Sequence, residues 1–168
     1  MNEEYAERAD LVPTGQTPRQ LDMARLGETL TDPSLDPSVM GLMIWGTNPA
    51  VIQPDASRVR RGLAREDLFT VVIEHFMTDT ARYADIVLPS TTQLEHFDVL
   101  GAWGHQYITI NQPAVAPLEE SRSHGEIMRT LAQAMGSTIR HCARAMRRSP
   151  PPRFRPGWRW RRLGRPGG

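Results

Sequence analysis

The stretch FMTDTARYADIVLPSTTQLEH, residues 76 to 96, combines a helix start, an apolar strand and a polar loop. A short helix from Thr78 to Tyr83 is expected, since threonine is a frequent helix N-cap. ADIVLP, residues 84 to 89, is typical of a buried strand that a proline ends. The loop after it finishes with Glu95 and His96. The segment contains no obvious nucleophile, metal cage or general base, so we expect it to hold a ligand rather than to react.

Two further apolar runs precede this stretch. VMGLMIWG (39 to 46) and DLFTVVIE (67 to 74) have the pattern of strands buried on both faces. Between them SRVRRGLAR (57 to 65) is predicted to form a helix capped by Asp55 or Ser57, with arginines on a solvated face. Strands alternating with helices favour an α/β fold with a mainly parallel sheet flanked by helices.

Three more elements are predicted on either side of these strands. RQLDMARLGETL (19 to 30) has apolar residues near helical spacing. QYITINQ (106 to 112) alternates and predicts a fourth strand nearer an edge. Ser123 and Glu126 form a capping-box pattern ahead of a helix over 127 to 136.

Length and composition restrict the class of protein. The 168 residues suffice for one ordinary domain. No run approaches the roughly 20 apolar residues that cross a bilayer. The acidic start, MNEEYAERAD, is unlike a secretory signal, so a cytoplasmic location and no membrane association are expected. The single cysteine, Cys142, excludes an internal disulfide and a CxxC-type metal site.

The charge divides the chain into two compositions. Residues 1 to 139 contain ten arginines and nineteen acidic residues, a net charge of −9. Residues 140 to 168 contain ten arginines and no acidic residue, a net charge of +10. This second part has three consecutive prolines and no usable apolar period, so we expect a disordered tail.

Candidate binding residues follow the predicted strands, because ligands of parallel sheets lie at the carboxyl ends of strands. In GTNP (46 to 49), Gly46 permits close approach of a ligand and Asn48 offers an amide that donates and accepts. Glu74 can accept from two N–H groups of a guanine edge or from two ribose hydroxyls. Thr78, beside free N–H groups at a helix start, suits a phosphate. Together these residues indicate a site for the polar end of a nucleotide.

The segments WGTNPAVIQPD, RRGLAREDLFTVVIEHFMTDTARYADIVLPSTTQLEHFD and GEIMRTLAQAMG, in this order, closely resemble the molybdopterin oxidoreductase family. Its members include dimethyl sulfoxide reductases, formate dehydrogenases and periplasmic nitrate reductases, with a bis(molybdopterin guanine dinucleotide) cofactor of molybdenum or tungsten. The resemblance covers roughly residues 17 to 137, between a polar segment (1 to 16) and the tail (138 to 168). It implies part of a Rossmann-like domain that grips the nucleotide end of one pterin cofactor.

The resemblance also implies roles for individual residues. Gly46, Thr47 and Asn48 would line the cofactor loop. Glu74 falls where the family places an acidic residue on the guanosine, and Thr78 follows four residues later.

Two histidines complete the implied site. His96 falls where a basic or polar residue can reach the cofactor. His124 falls where the family often has Asp or Asn. The resemblance implies no catalytic residue and no metal ligand in this chain, since the reacting metal would lie elsewhere.

The departures from the family pattern matter equally. The iron–sulfur cysteines, the segment with the Ser, Cys or selenocysteine metal ligand, and the C-terminal cofactor-binding domain have no counterpart here. We therefore expect a fragment of a larger oxidoreductase that is inactive alone. After about Ser137 the Arg-, Pro- and Trp-rich composition is typical of a shifted reading frame in a GC-rich gene.

Two other functions stay open. The α/β region could be a stand-alone nucleotide-binding or subunit-interaction module. Less favoured is nucleic-acid binding through the tail, whose arginines with Trp158 and Trp160 could neutralise phosphates and stack on bases.

Overall fold

The structure, a computed structural model, describes residues 19–101, 104 and 106–136. The segment 1–16 and the tail 138–168 lie outside the described residues, so the expectations about them stay predictions.

Each of the three apolar runs contains a strand. These are β1 (Gly41–Trp45), β2 (Phe69–Glu74) and β3 (Ile86–Pro89). They pair in parallel in the order β1-β2-β3, with Trp45 beside Ile73 and Glu74 beside Pro89. The predicted α/β fold with a parallel sheet and flanking helices is confirmed.

The central and edge strands differ in burial. In β2, Val72 and Ile73 point to opposite faces by strand alternation and both are fully buried. In β1 only Ile44 is buried, and the Trp45 side chain is 52% exposed. The prediction that β1 is buried on both faces is therefore wrong. Among the described residues β1 lies at the edge of the sheet, with a neighbouring strand on one side only.

The described residues contain four α-helices: α1 (Leu26–Thr31), α2 (Pro49–Ile52), α3 (Ala56–Leu63) and α4 (His124–Ala134). Asp55 caps α3, since its carboxylate accepts from the Arg58 N–H at 3.1 Å. The capping box of Ser123 and Glu126 at the start of α4 is present as predicted.

Two predicted helices are shorter than expected. The region 19 to 30 contains a 3₁₀ turn at Met23–Arg25, and α1 begins only after it. The expected helix from Thr78 to Tyr83 is a single 3₁₀ turn at Ala81–Tyr83. Asp85 already pairs with the central strand, donating its N–H to the Thr70 carbonyl at 2.9 Å. The connection is therefore too short for a longer helix.

The core forms where α1 and α3 pack together. A Cβ on Gly62 of α3 would lie 2.5 Å from the Leu30 Cβ, and one on Gly27 would lie 3.1 Å from the Val59 nitrogen. Both glycines thus allow the helices to approach closely. The buried core consists of Leu30, Ile44, Ala50, Val59, Leu63, Leu68, Val72, Ala81 and Ala84.

The alternating run 106 to 112 contains a strand, but that strand lies outside the parallel sheet. β4 (Asp98–Gly101) and β5 (Ile108–Asn111) form a separate antiparallel pair, with Val99 beside Ile110. The expected position nearer an edge of the main sheet is wrong. An antiparallel partner can follow after a short connection, whereas a parallel one needs a long crossover.

Candidate functional site

The ends of the three parallel strands meet at one edge of the sheet. The Gly46 N–H donates to the Ile73 carbonyl at 3.2 Å, and the Ser90 N–H donates to the Glu74 carbonyl at 3.2 Å. The loops after β1, β2 and β3 are therefore neighbours. We call them, with the start of α4, the carboxyl edge (residues 46–48, 74–78, 90–96 and 123–124).

Gly46 begins the first of these loops. Its φ is +61°, in the left-handed region that glycine adopts at no steric cost. No heavy atom beyond its chain neighbours lies within 4 Å of the position a Cβ would take. The backbone of Gly46 is therefore accessible, and its role in a ligand loop stays a prediction. Thr47 follows it, half-buried.

Asn48 ties the first loop to the second. Its Oδ1 accepts from the Thr80 N–H at 3.1 Å and from the Thr80 hydroxyl at 2.6 Å. The same hydroxyl oxygen accepts from the Ala50 N–H at 3.0 Å. Sequence reasoning assigned Asn48 to a ligand and missed this internal role. Within the described residues the Asn48 Nδ2 group has no hydrogen-bond partner, so only its donor side is left for a ligand.

Glu74 ends β2, Thr78 lies in the loop after it, and each makes an internal contact. Glu74 Oε1 accepts from the His75 N–H at 2.7 Å. Thr78 Oγ1 accepts from the Ala81 N–H at 3.3 Å and so stabilises the 3₁₀ turn. Both residues are half-buried.

The third loop is held in shape by a buried carboxylate. Glu95 accepts from the Thr92 N–H at 2.6 Å, the Thr92 hydroxyl at 2.7 Å and the Leu118 N–H at 2.7 Å. These hydrogen bonds, the Thr92 N–H first, lower the pKa of the Glu95 carboxyl. Asn111 adds support, because its Nδ2 donates to the carbonyls of Gln93 and His96. Nothing in the local sequence indicates this structural role for Glu95.

The third loop also carries His96, and a second histidine, His124, lies at the start of α4. His96 Nδ1 and Thr91 Oγ1 are 2.9 Å apart, which orients the imidazole. His124, the first residue of α4, has its ring centroid 5.1 Å from that of Trp45 and 6.2 Å from that of His75. His75 and Trp45 had no assigned role in the sequence, and here they contact a predicted site residue.

Among residues 19–101, 104 and 106–136 no group of three His, Cys, Asp or Glu side chains could hold a metal ion. In the same residues no helix is long and apolar enough to span a bilayer. What the edge offers is an accessible backbone, amide and carboxylate hydrogen bonds, and imidazoles.

Residues 29–134 match the family described as molybdopterin oxidoreductase. The chain therefore belongs to the molybdopterin oxidoreductase family. The family that the resemblance indicated is thereby confirmed.

Individual relatives agree with this assignment. The chain is 48% identical over 137 residues to a probable oxidoreductase, YoaE, of Bacillus subtilis, covering 82% of this chain and 20% of that protein. It is 37% identical over 114 residues to a dimethyl sulfoxide/trimethylamine N-oxide reductase of Cereibacter sphaeroides, covering 66% and 13%. The chain thus spans about a fifth or less of these relatives.

One solved structure has a fold similar to that of this chain. Acetylene hydratase from Pelobacter acetylenicus superposes with a TM-score of 0.57 at 25% identity. The match covers 67% of this chain and 15% of that enzyme.

Proposed function

We propose that the carboxyl edge binds the guanine nucleotide end of a molybdopterin guanine dinucleotide cofactor. The observation that carries this proposal is the meeting of the Gly46–Asn48 loop and Glu74 at the ends of neighbouring parallel strands. Ligands of open parallel sheets lie in this position. Family membership supplies the class of cofactor.

The donor set fits such a group. Gly46 leaves open space beside an accessible backbone, and Asn48 retains a free amide donor within the described residues. His124 Nε2 is buried and has no hydrogen-bond partner there. A guanine nucleotide carries both the acceptors and the donors that these groups lack.

Each residue would hold a different part of the ligand. Glu74 would accept from the N–H donors of the guanine edge or from the ribose hydroxyls. Gly46, Thr47 and Asn48 would lie along the nucleotide backbone, and Thr78, His96 and His124 would contact its polar groups. When bound, the cofactor supplies two-electron oxidation–reduction at molybdenum or tungsten, and these residues orient it.

We further propose that this chain holds the cofactor without catalysing turnover alone. The seven residues provide hydrogen bonds and charge, which position a group but do not transfer electrons. The chain also spans only 20% of YoaE. A larger oxidoreductase, in one or several polypeptides, is then the setting in which the bound cofactor would react.

Calorimetric titration of the full 168-residue chain with nucleotides tests the proposal. GDP should bind saturably, and ADP should bind much less tightly if Glu74 contacts the guanine edge, because adenine lacks the N1–H and 2-amino donors. IDP, which lacks only the 2-amino group, separates contact with the guanine edge from contact with the ribose. If 2′-deoxy-GDP rather than IDP loses affinity, Glu74 binds the ribose.

Glu74→Gln should weaken GDP binding by about 1.5–3 kcal/mol, the usual value of a hydrogen bond to a charged group. Glu66→Gln is the matched control, since Glu66 is exposed and precedes β2 at its opposite end. Absence of saturable binding to a chain that circular dichroism shows to be folded would reject the proposed function.

A further inference from the structure

The free edge of the parallel sheet is an uncharged strand. β1 pairs with β2 on one side, and within the described residues no strand lies on its other side. The sequence from 37 to 54 has no charged residue, and β1 itself contains neither a charge nor a proline. Proteins usually protect an exposed edge with such residues, because an edge strand is a template for pairing with another chain. The sequence of β1 therefore leaves this edge open to a further strand.

The backbone of β1 directs hydrogen-bonding groups toward this free side. The Met40 carbonyl accepts from the Phe69 N–H at 2.9 Å, and the Gly46 N–H donates to the Ile73 carbonyl at 3.2 Å. Because the side to which these groups point alternates along a strand, the even positions from 40 to 46 face β2. The residues whose N–H and C=O groups point away from β2 are Gly41, Met43 and Trp45.

The same three positions form an apolar surface that is open at one end. The side chains of Met43 and Trp45 are 44% and 52% exposed, although the Trp45 ring contacts His124 on one side. Among the described residues no heavy atom beyond its chain neighbours lies within 4 Å of the position of a Cβ on Gly41. Phe69, which pairs with Gly41 in the sheet, is half-exposed as well. Space above Gly41 thus lies beside an exposed aromatic ring.

We propose that β1 is the interaction surface for a second copy of this chain, which adds its own β1 in antiparallel orientation. With Met43 on the two-fold axis, it lies opposite the partner's Met43, and Gly41 lies opposite the partner's Trp45. These residues form hydrogen-bonded antiparallel pairs, in which the two residues of a pair exchange both N–H···O bonds. Two three-stranded sheets then become one continuous sheet.

This register is the one that fills the space above Gly41. The partner's Trp45 lies over Gly41, and its indole reaches Phe69 in the next strand. An aromatic side chain opposite a glycine of an edge strand is a recognised stabilising pair. A shift of the register by two residues would place the partner's Met43 or the partner's Thr47 opposite Gly41 instead. The complementary shapes therefore select both the orientation and the register.

Charge and area both suit a second copy. No like charges meet across the axis, because residues 37 to 54 are uncharged. Met40, Met43, Trp45 and Phe69 each leave on the order of 100 Å² exposed, together about half of the roughly 800 Å² that each partner buries in a standard interface. The association is therefore reversible and depends on the concentration of the chain.

The opposite edge of the sheet does not offer the same pairing. β3 ends at Pro89, which has no N–H to donate. The Arg122 N–H donates to the Pro89 carbonyl at 3.2 Å, and the Thr91 N–H donates to the Arg122 carbonyl at 3.1 Å. The end of β3 is thus already bonded to another segment. A two-fold pair of β1 strands is closed, so the expected assembly is a dimer.

Sedimentation equilibrium of the full 168-residue chain, from low to several hundred micromolar, tests the proposal. The mass should rise with concentration from that of one chain toward that of two. Met43→Lys places like charges opposite each other, and Met43→Pro removes an N–H that points away from β2. Each should raise the concentration of half-association at least about tenfold. Met135→Lys, at an exposed methionine outside β1, is the matched control and should leave it unchanged.

Cysteine cross-linking tests the register in a Cys142→Ser background. In the proposed dimer the two Cα atoms at position 43 are about 5.5 Å apart, within the range of a disulfide. Met43→Cys should therefore give a covalent dimer with oxidised glutathione. Met40→Cys is the matched control, because the two copies of position 40 are roughly 20 Å apart along the strands. It should cross-link much more slowly.

Three outcomes would overturn the proposal. The first is a chain that circular dichroism shows to be folded and that stays monomeric up to several hundred micromolar, which would leave β1 to a strand of another polypeptide. The second is self-association that neither Met43→Lys nor Met43→Pro weakens. The third is equally fast cross-linking of Met40→Cys and Met43→Cys. None of these results depends on nucleotide binding, so the dimer and the proposed function stand or fall separately.

Discussion

Asn48 and Thr80 are joined by two hydrogen bonds that fasten the loop after β1 to the turn after β2. Asn48 Oδ1 accepts from both the N–H and the hydroxyl of Thr80, at 3.1 and 2.6 Å. Thr80 is fully buried, and its hydroxyl oxygen also accepts from the Ala50 N–H. The geometry of two candidate ligand loops thus depends on one side-chain pair.

Asn48→Ala should lower the free energy of unfolding by about 1–3 kcal/mol, because it leaves two buried Thr80 donors unpaired. Urea denaturation of the full chain measures this. Thr80→Val removes the hydroxyl donor and keeps the N–H donor, and the double variant should show a coupling energy of about 0.5–3 kcal/mol.

Thr47→Ala is the control for this pair, since Thr47 is adjacent and half-buried. Its effect on unfolding should stay within about 0.5 kcal/mol. Strictly additive effects of Asn48→Ala and Thr80→Val would show that the two residues do not stabilise the loops together.

Gly46 is constrained by its backbone rather than by its surroundings. A Cβ at Gly46 would contact nothing within 4 Å. At φ +61°, however, an alanine lowers the free energy of unfolding by about 1–2 kcal/mol. We expect urea denaturation to show that Gly46→Ala destabilises the folded chain by that amount. Gly46→Asn should cost less, because asparagine tolerates the left-handed region.

Gly41→Ala provides the comparison for Gly46. Gly41 also has open space around the position of a Cβ, but it starts β1 and is not among the residues with positive φ. Gly41→Ala should be neutral or slightly stabilising. If alanine lowered the free energy of unfolding equally at both positions, the left-handed backbone conformation would not be the reason for a glycine at position 46.

The elements that could be predicted from sequence are those with a local signal. Val72 and Ile73 lie in an unbroken apolar run, and such runs become central strands of parallel sheets. The capping box of Ser123 and Glu126 is a four-residue pattern, and the structure contains it. Once three parallel strands are predicted, the common edge of their loops follows from topology alone.

The features that could not be predicted depend on residues far apart in the chain. Glu95 accepts from Leu118, 23 positions away, and nothing near either residue indicates the contact. Asn48 and Thr80 are 32 positions apart. The pairing of His75 with His124 likewise depends on where α4 docks. A polar residue in a loop can serve a ligand or the fold, and only the tertiary contacts distinguish the two.

Glu95 should make stability depend on pH. Its pKa is lowered in the folded chain from the ordinary value of 4.5 by hydrogen bonds from Thr92 and Leu118. The contribution is therefore complete above pH 4.5 and is lost as pH falls through the lower, folded-state pKa. Urea denaturation at several pH values should show Glu95→Gln less stable than the parent at neutral pH, with the difference shrinking in acid.

Glu120→Gln is the matched control, since Glu120 is exposed in the same region of the chain. It should leave the pH dependence of unfolding unchanged. A difference between Glu95→Gln and the parent that stays constant from neutral to acidic pH would contradict the assigned role of the Glu95 carboxylate.

Two serines near the start of α4 should respond oppositely to the same substitution. Ser123 Oγ accepts from the Glu126 N–H at 3.4 Å, and the Glu126 carboxylate accepts from the Ser123 N–H at 3.0 Å. Ser123→Ala should therefore cost about 1 kcal/mol of unfolding free energy, the usual loss for an N-cap. Because α4 begins at His124, this variant should also weaken nucleotide binding.

Ser121 Oγ is buried and has no hydrogen-bond partner in the described residues. Ser121→Ala removes a hydroxyl that is desolvated without compensation, so we expect a neutral or stabilising effect in urea denaturation. If Ser121→Ala and Ser123→Ala lowered the free energy of unfolding equally, the Ser123 N-cap would not be what stabilises the start of α4. If Ser123→Ala left the nucleotide affinity unchanged, the position of His124 would not depend on the N-cap of α4.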